Sequence, residues 1–134
     1  MKYICLALGL LIILSCTKTD NTITPSQPAT TQEDTIKFYT NLDTGKYSVV
    51  DTLPLVINIS SKIPTAGVVY SVVINWTDSS KEIYKLDSTS TNNFLNLNIP
   101  GFKKSGNYTA TIKVTSKSKS TNFDTKTLSI NKPI

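Results

Sequence analysis

Val68-Val69-Tyr70-Ser71-Val72-Val73-Ile74-Asn75-Trp76-Thr77 is the stretch whose reading decides the fold. Every second residue, Val68, Tyr70, Val72, Ile74 and Trp76, falls on one face, with Val69, Ser71, Val73, Asn75 and Thr77 on the other. Side chains alternate across a strand, so an apolar set opposed to a more polar one marks a half-buried β-strand. The valines and isoleucine pack well on a pleated surface and lose rotamer freedom in a helix.

The same rhythm extends outward in both directions. Asn107 to Ser116 carries Tyr108, Ala110, Ile112 and Val114 inward, and Asn93 to Ile99 carries Leu95, Leu97 and Ile99. Upstream, Leu53 to Ser60 places Leu53, Leu55, Ile57 and Ile59 on one face. Thr35 to Thr40, ended by the turn residues Asn41 to Lys46, is a first strand; Glu82 to Asp87 is a short edge strand; Phe123 to Asn131 closes the chain with Leu128 and Ile130 inward. Seven short strands in about 100 residues predict an all-β fold, a seven-stranded antiparallel immunoglobulin-like β-sandwich over residues 34–134.

Composition agrees and narrows the chemistry. The 134 residues suffice for one domain with short appendages. Thr (20), Ser (15) and Asn (11) together supply 46 residues that are poor helix formers, which disfavours long helices. There is no His, all 14 basic residues are Lys, and there are two Cys. Imidazole catalysis, a His-ligated zinc and a Cys-rich metal site are thereby excluded. The nine acidic residues lie in expected turns and in the N-terminal segment, with no predicted carboxylate pair flanking a cleft. Asp78 and Glu82 could meet across a loop around calcium, but they lack the ordered spacing of a calcium loop, and solvated turn carboxylates are the favoured account. The expectation is a non-enzyme with no cofactor and no metal.

The N-terminus carries an address. Met1-Lys2 precedes twelve uncharged residues, Tyr3 to Leu14, and then Ser15-Cys16. Twelve apolar residues are too few to span a bilayer as a helix, for which about 20 are needed, and match a secretory signal instead. Ile13-Leu14-Ser15-Cys16 resembles the lipobox of bacterial lipoproteins. That resemblance implies cleavage after residue 15 and a diacylglycerol thioether, usually joined by a third acyl chain, on Cys16. A plain secretory peptide cut near Ser15 and an uncleaved anchor are the alternatives. Once Cys5 leaves with residues 1–15, the single remaining Cys cannot form an internal disulfide, which suits an acylation site. Thr17 in place of Asp leaves out an inner-membrane retention signal, so the expected location is the outer membrane of a bacterial envelope. Residues 16–33, after the modified Cys, form a Thr- and Pro-rich stretch with Ile23 as its one large aliphatic, and are expected to be a disordered tether.

Trp76 on the third strand, followed by Leu95 to Pro100 and then Gly106-Asn107-Tyr108-Thr109-Ala110-Thr111-Ile112-Lys113-Val114, resembles the fibronectin type III, PKD and bacterial immunoglobulin-like group. The resemblance implies a structural role for Trp76 and a tyrosine corner at Tyr108, whose hydroxyl would bond backbone a few residues upstream. It does not choose among the three subfamilies and implies no particular function. Lys113, Lys117 and Lys119 share strand parity, and Lys103 and Lys104 precede them, so a basic strip is a candidate binding surface for anionic headgroups or acidic glycans. Solubility and edge protection explain these lysines equally well. The lack of Arg argues against nucleic acid as a partner. Tyr39, Tyr47 and Tyr84 are glycan-stacking candidates if they cluster in solvent. Asn58, Asn75 and Asn107 open Asn-X-Ser/Thr triplets, and Asp34-Thr35-Ile36 and Asp51-Thr52-Leu53 resemble bacterial O-glycosylation acceptors. The expected partners are the membrane, through the lipid anchor, and a glycan or protein ligand. The resulting expectation is a lipid-anchored binding or adhesion module, with a structural or assembly subunit docking through a sheet edge or face as the alternative.

Overall fold

The computed structural model describes residues 32–43 and 47–134. The expected signal peptide, Cys16 and the expected tether up to residue 31 lie outside the described residues. The elements are β1 (Phe38–Thr40), β2 (Tyr47–Ser48), β3 (Thr52–Ile59), β4 (Val68–Trp76), β5 (Lys81–Ser90), β6 (Phe94–Pro100), β7 (Gly106–Ser116) and β8 (Phe123–Lys132). They form two sheets, one ordered β1-β3-β6 and the other β2-β8-β7-β4-β5, which pack as a β-sandwich.

The strand count is eight rather than seven, and one pairing is parallel. The added element, β2, lies parallel to the end of β8 through Tyr47↔Ile130 and Ser48↔Asn131. Two residues are too few to show a period, which is why alternation alone passes over β2. β1 is shorter than the expected Thr35 to Thr40, because side chains substitute for ladder partners before Phe38. The Ile36 amide donates to Asn122 Oδ1 at 2.9 Å, and the Lys37 amide donates to Ser61 Oγ at 3.1 Å. β5 is longer than expected, since its polar Ser88-Thr89-Ser90 tail continues the ladder as far as Val68↔Ser90.

Inward residues from both sheets fill the core: Leu53, Leu55 and Ile57 from β3, Val68, Tyr70, Val72 and Ile74 from β4, and Ala110, Ile112 and Val114 from β7 are all fully buried. Burial of this kind, at roughly 25 cal/mol per Å² of apolar surface, is the main force holding the two sheets together. Five strands cannot be covered completely by three. Tyr84 and Leu86 on β5 and Leu128 on β8 therefore pack against the core while staying only half-buried, and so do Leu95 and Leu97 on β6, an edge strand of the smaller sheet.

Two polar clusters close the side of the sandwich where β1 meets β8. Asn122, itself buried, donates from Nδ2 to the Asp34 carbonyl at 2.9 Å and to Glu33 Oε2 at 3.2 Å. Glu33 also accepts from Ser116 Oγ at 2.7 Å and from the Ser118 hydroxyl, so this residue, the last of the compositional tether, is held against the β7–β8 turn. In the second cluster Asp43 Oδ1 accepts from the Thr40 hydroxyl at 2.7 Å, and its Oδ2 accepts both from the Thr40 amide at 3.1 Å and from Lys126 Nζ of β8 at 2.7 Å. Replacing Asn122 by Ala leaves the buried Ile36 N–H without its acceptor. The expected cost is about 1–3 kcal/mol in urea unfolding, with faster hydrogen exchange at the Ile36 amide.

Both carboxyls are held below their ordinary range. For Glu33 the hydrogen bonds from Ser118 and Ser116 are the main cause. For Asp43 partial burial pushes upward, and the bonds from Lys126 and Thr40 together outweigh it. A depressed folded-state pKa stabilises the fold above the unfolded value and loses that contribution as the pH falls through the folded one. With ordinary values of 4.5 and 3.8, stability is expected to hold from neutral pH to about 5 and to drop below about 4. Thermal melts across pH 2–7 check this, and a Glu33→Gln/Asp43→Asn variant should show a flatter acid limb.

Candidate functional site

β7 leads out of the loop Gly101-Phe102-Lys103-Lys104-Ser105, and Tyr108 locks that loop in place. Its hydroxyl donates to the Lys104 carbonyl at 2.6 Å, and the Lys104 amide approaches the same oxygen at 3.3 Å. The buried Phe102 ring meets the Tyr108 ring edge-on, with centroids 4.9 Å apart. The Lys103 amide donates to the Gly101 carbonyl at 2.9 Å, and Lys132 Nζ of β8 grips the Phe102 carbonyl. The Ser105 hydroxyl donates to the Pro133 carbonyl at 3.2 Å. Lys103 and Lys104 are thus carried on fixed backbone, with both side chains exposed.

Beside this loop lies the hairpin joining β4 to β5. Its turn ends at Ser80, which sits at φ 53°, a left-handed conformation uncommon outside glycine. The β4–β5 register then shifts: Ile74 pairs with Tyr84, but Asn75 pairs with Glu82 and Trp76 with Lys81. Ile83 is the extra residue of a β-bulge, a device that re-aims side chains near functional surfaces. Directly paired residues lie on the same face, so without the bulge Trp76 would stand beside Glu82. The bulge sets Lys81 there instead.

These elements enclose a recess of about 170 Å³ lined by Trp76, Lys81, Ile83, Gly101, Lys103, Lys104 and Tyr108. Lys104 Nζ stands 4.6 Å from the centre of the Trp76 ring, within the range of a cation–π contact. The indole nitrogen is buried without a hydrogen-bond partner beside the Gly106 backbone, where Asp78 Oδ2 also approaches. Gly106 holds φ 135°, and a Cβ on it would come within 3.2 Å of that nitrogen, so only glycine closes this corner. No carboxylate lines the recess, and among the described residues the two ion pairs, Lys126–Asp43 and Lys132–Asp51, use none of its three lysines. A larger space of about 410 Å³ lies at the opposite pole, between Gln32-Glu33-Asp34 and Lys62 to Ala66.

The five lysines expected to form one strip are divided. Lys103 and Lys104 precede the start of β7, and Lys117 and Lys119 follow its end. At about 3.3 Å per residue, the eleven-residue strand separates those pairs by roughly 33 Å. Lys113 lies between them on the outer face, with Nζ 4.2 Å from the Phe123 ring centre. Lys81, absent from the sequence-based strip, joins Lys103 and Lys104 only because of the hairpin and its bulge. The three tyrosines are also dispersed: Tyr39, on β1, is 52% exposed, while the half-buried Tyr47 and Tyr84 sit on opposite edge strands of the larger sheet. Asp78 and Glu82 are exposed, and among the described residues no three acidic, Cys or His side chains gather as a metal would need.

No protein-family model matches the chain, and no curated protein matches it. Among solved structures it is similar to CopC from Methylosinus trichosporium OB3b, at 14% identity over 67% of this chain and 85% of that one, with a TM-score of 0.49. At this level of likeness the architecture rests on the chain's own strand pairing.

Tyr108→Phe removes the hydroxyl bridge while keeping the ring. Loss of the bridge is expected to cost about 1–2 kcal/mol of stability in urea unfolding and to raise amide exchange at Lys104.

Proposed function

We propose that the chain is a lipid-anchored, non-catalytic binding module of a bacterial cell envelope, held by acyl chains on Cys16, with the outer membrane as its location. The observation that carries the binding role is the convergence of Lys81, Lys103 and Lys104 around Trp76 at the pole opposite Gln32. The upstream segment joins the sandwich at the pole of the β3–β4 and β7–β8 loops, where Glu33 is tied to Ser116 and Ser118.

The Ile13-Leu14-Ser15-Cys16 segment supports the anchor, since two or three acyl chains give durable attachment where one does not. The strand order supports the immunoglobulin-type assignment: β3, β4, β6, β7 and β8 take the places of strands B, C, E, F and G, and β5 extends the sheet beside C.

A second reading, an assembly subunit, is favoured by one flank of the sandwich. β5 and β6 are free edges, Phe94 is 50% exposed, and Tyr84, Leu86, Leu95 and Leu97 are half-buried there. A stoichiometric partner that stays bound after detergent extraction would favour this reading.

The anchor is tested by intact-mass analysis of the membrane fraction together with protease treatment of whole cells. Wild-type protein is expected to begin at an acylated Cys16, and Cys16→Ala to be released as soluble or unprocessed chain. A processed Cys16→Ala protein that stays on the membrane would contradict the anchor.

A further inference from the structure

We infer that the recess bounded by Trp76, Lys81, Ile83 and the Gly101–Lys104 loop is a site for carboxylated polysaccharide, taking one uronic-acid unit of an extended chain. The inference rests on the binding-module reading and gives that module its ligand class.

Three features of the recess point to this ligand. Its charge is of one sign: three lysines line it, no carboxylate does, and none of the three is spent in an ion pair among the described residues. The bulge at Ile83 is what makes it so, by placing Lys81 rather than Glu82 beside Trp76. The walls between the cations are apolar, supplied by Ile83 and by the indole under Lys104 Nζ. An acidic sugar presents this same combination, an apolar C–H face next to a carboxylate.

Size is the third feature. At about 170 Å³ the recess is smaller than the 300–1,000 Å³ of sites that engulf a drug-sized molecule, so it suits one ring of a polymer whose neighbours remain in solvent. Lys presents a compact charge without the planar fork of Arg, which suits attraction to charges repeated along a chain better than bidentate capture of one isolated anion. The loop needs little ordering to bind, because Tyr108, Lys132 and Ser105 already fix its backbone. An anionic membrane surface is the competing partner for these lysines. The vesicle arm of the test distinguishes it from the polysaccharide.

The test uses the full acylated protein in nonionic detergent. Its probes are polygalacturonate, neutral amylose as a control, and vesicles of phosphatidylglycerol with phosphatidylcholine. Affinity electrophoresis at low ionic strength is expected to show retardation by polygalacturonate, no retardation by amylose, and loss of the effect in high salt. Lys81→Gln/Lys103→Gln/Lys104→Gln should weaken polygalacturonate binding by about tenfold, a loss of about 1.4 kcal/mol shared over three exposed charges. Lys113→Gln/Lys117→Gln/Lys119→Gln, which lowers net charge equally, should bind as wild type does, and matching circular dichroism establishes that both variants fold.

Equal loss in both triple variants would reduce the effect to general charge and overturn the site. Absence of polygalacturonate binding, or binding to the vesicles alone through Lys81, Lys103 and Lys104, would overturn it as well. Acylated, membrane-held protein that ignores the polymer removes this ligand and leaves the anchor. Unacylated protein that binds the polymer through the three lysines keeps the site and removes the anchor.

Discussion

The Tyr108 hydroxyl, bonded to the backbone of Lys104, is the constraint on which the lysine-lined end of the molecule depends. It joins a core strand to a surface loop: the ring is buried among the inward residues of β7, and the oxygen holds the loop that carries Lys103 and Lys104. Through Phe102 the same loop is packed into the sandwich, and through Lys132 it is tied to the last strand. Position and charge at this pole therefore follow from core packing. The lysines owe their placement to rigid backbone and need no contacts of their own to hold it.

The opposite pole follows a different logic, with side-chain amides and carboxylates in place of a ladder. Asn122 accepts from Ile36 and donates to Asp34 and Glu33, so the segment entering the sandwich is secured before its first strand begins. Asp43, with Thr40 and Lys126, does the same just after β1. These devices let a three-residue strand hold one side of the domain shut, at the cost of an acid-sensitive set of bonds.

Much of the fold was legible in the sequence because burial on a sheet imposes a period of two. The inward faces of β3, β4 and β7 were each readable from alternation, and all of them are buried except Trp76 at the end of β4, which is half-buried and walls the recess. Less legible were features set by partners distant in the chain. β2 is two residues long and exists only because β8 runs beside it. The length of β5 depends on β4, since its Ser and Thr tail has no pattern of its own. The candidate site was half-readable. Lys103 and Lys104 stood out as a pair, but grouping them with Lys117 and Lys119 ignored the length of the strand between them. Lys81 was missed because a bulge changes which residue stands beside Trp76, and strand alternation carries no sign of that. The turn residues Thr77 to Ser80, with a left-handed Ser80, were the nearest available hint.

The parallel contact between Tyr47-Ser48 and Ile130-Asn131 has a mechanical side. The Val49 amide adds one more bond to the Asn131 carbonyl at 2.9 Å, so the first and last parts of the domain are laced together side by side. Tension drawn between the two chain ends loads those bonds in shear, all at once, whereas an antiparallel hairpin pulled from its open end unzips one bond after another. A pull applied at residues 32 and 134 reaches this lacing once β1 has parted from β3, ahead of the long ladders behind it.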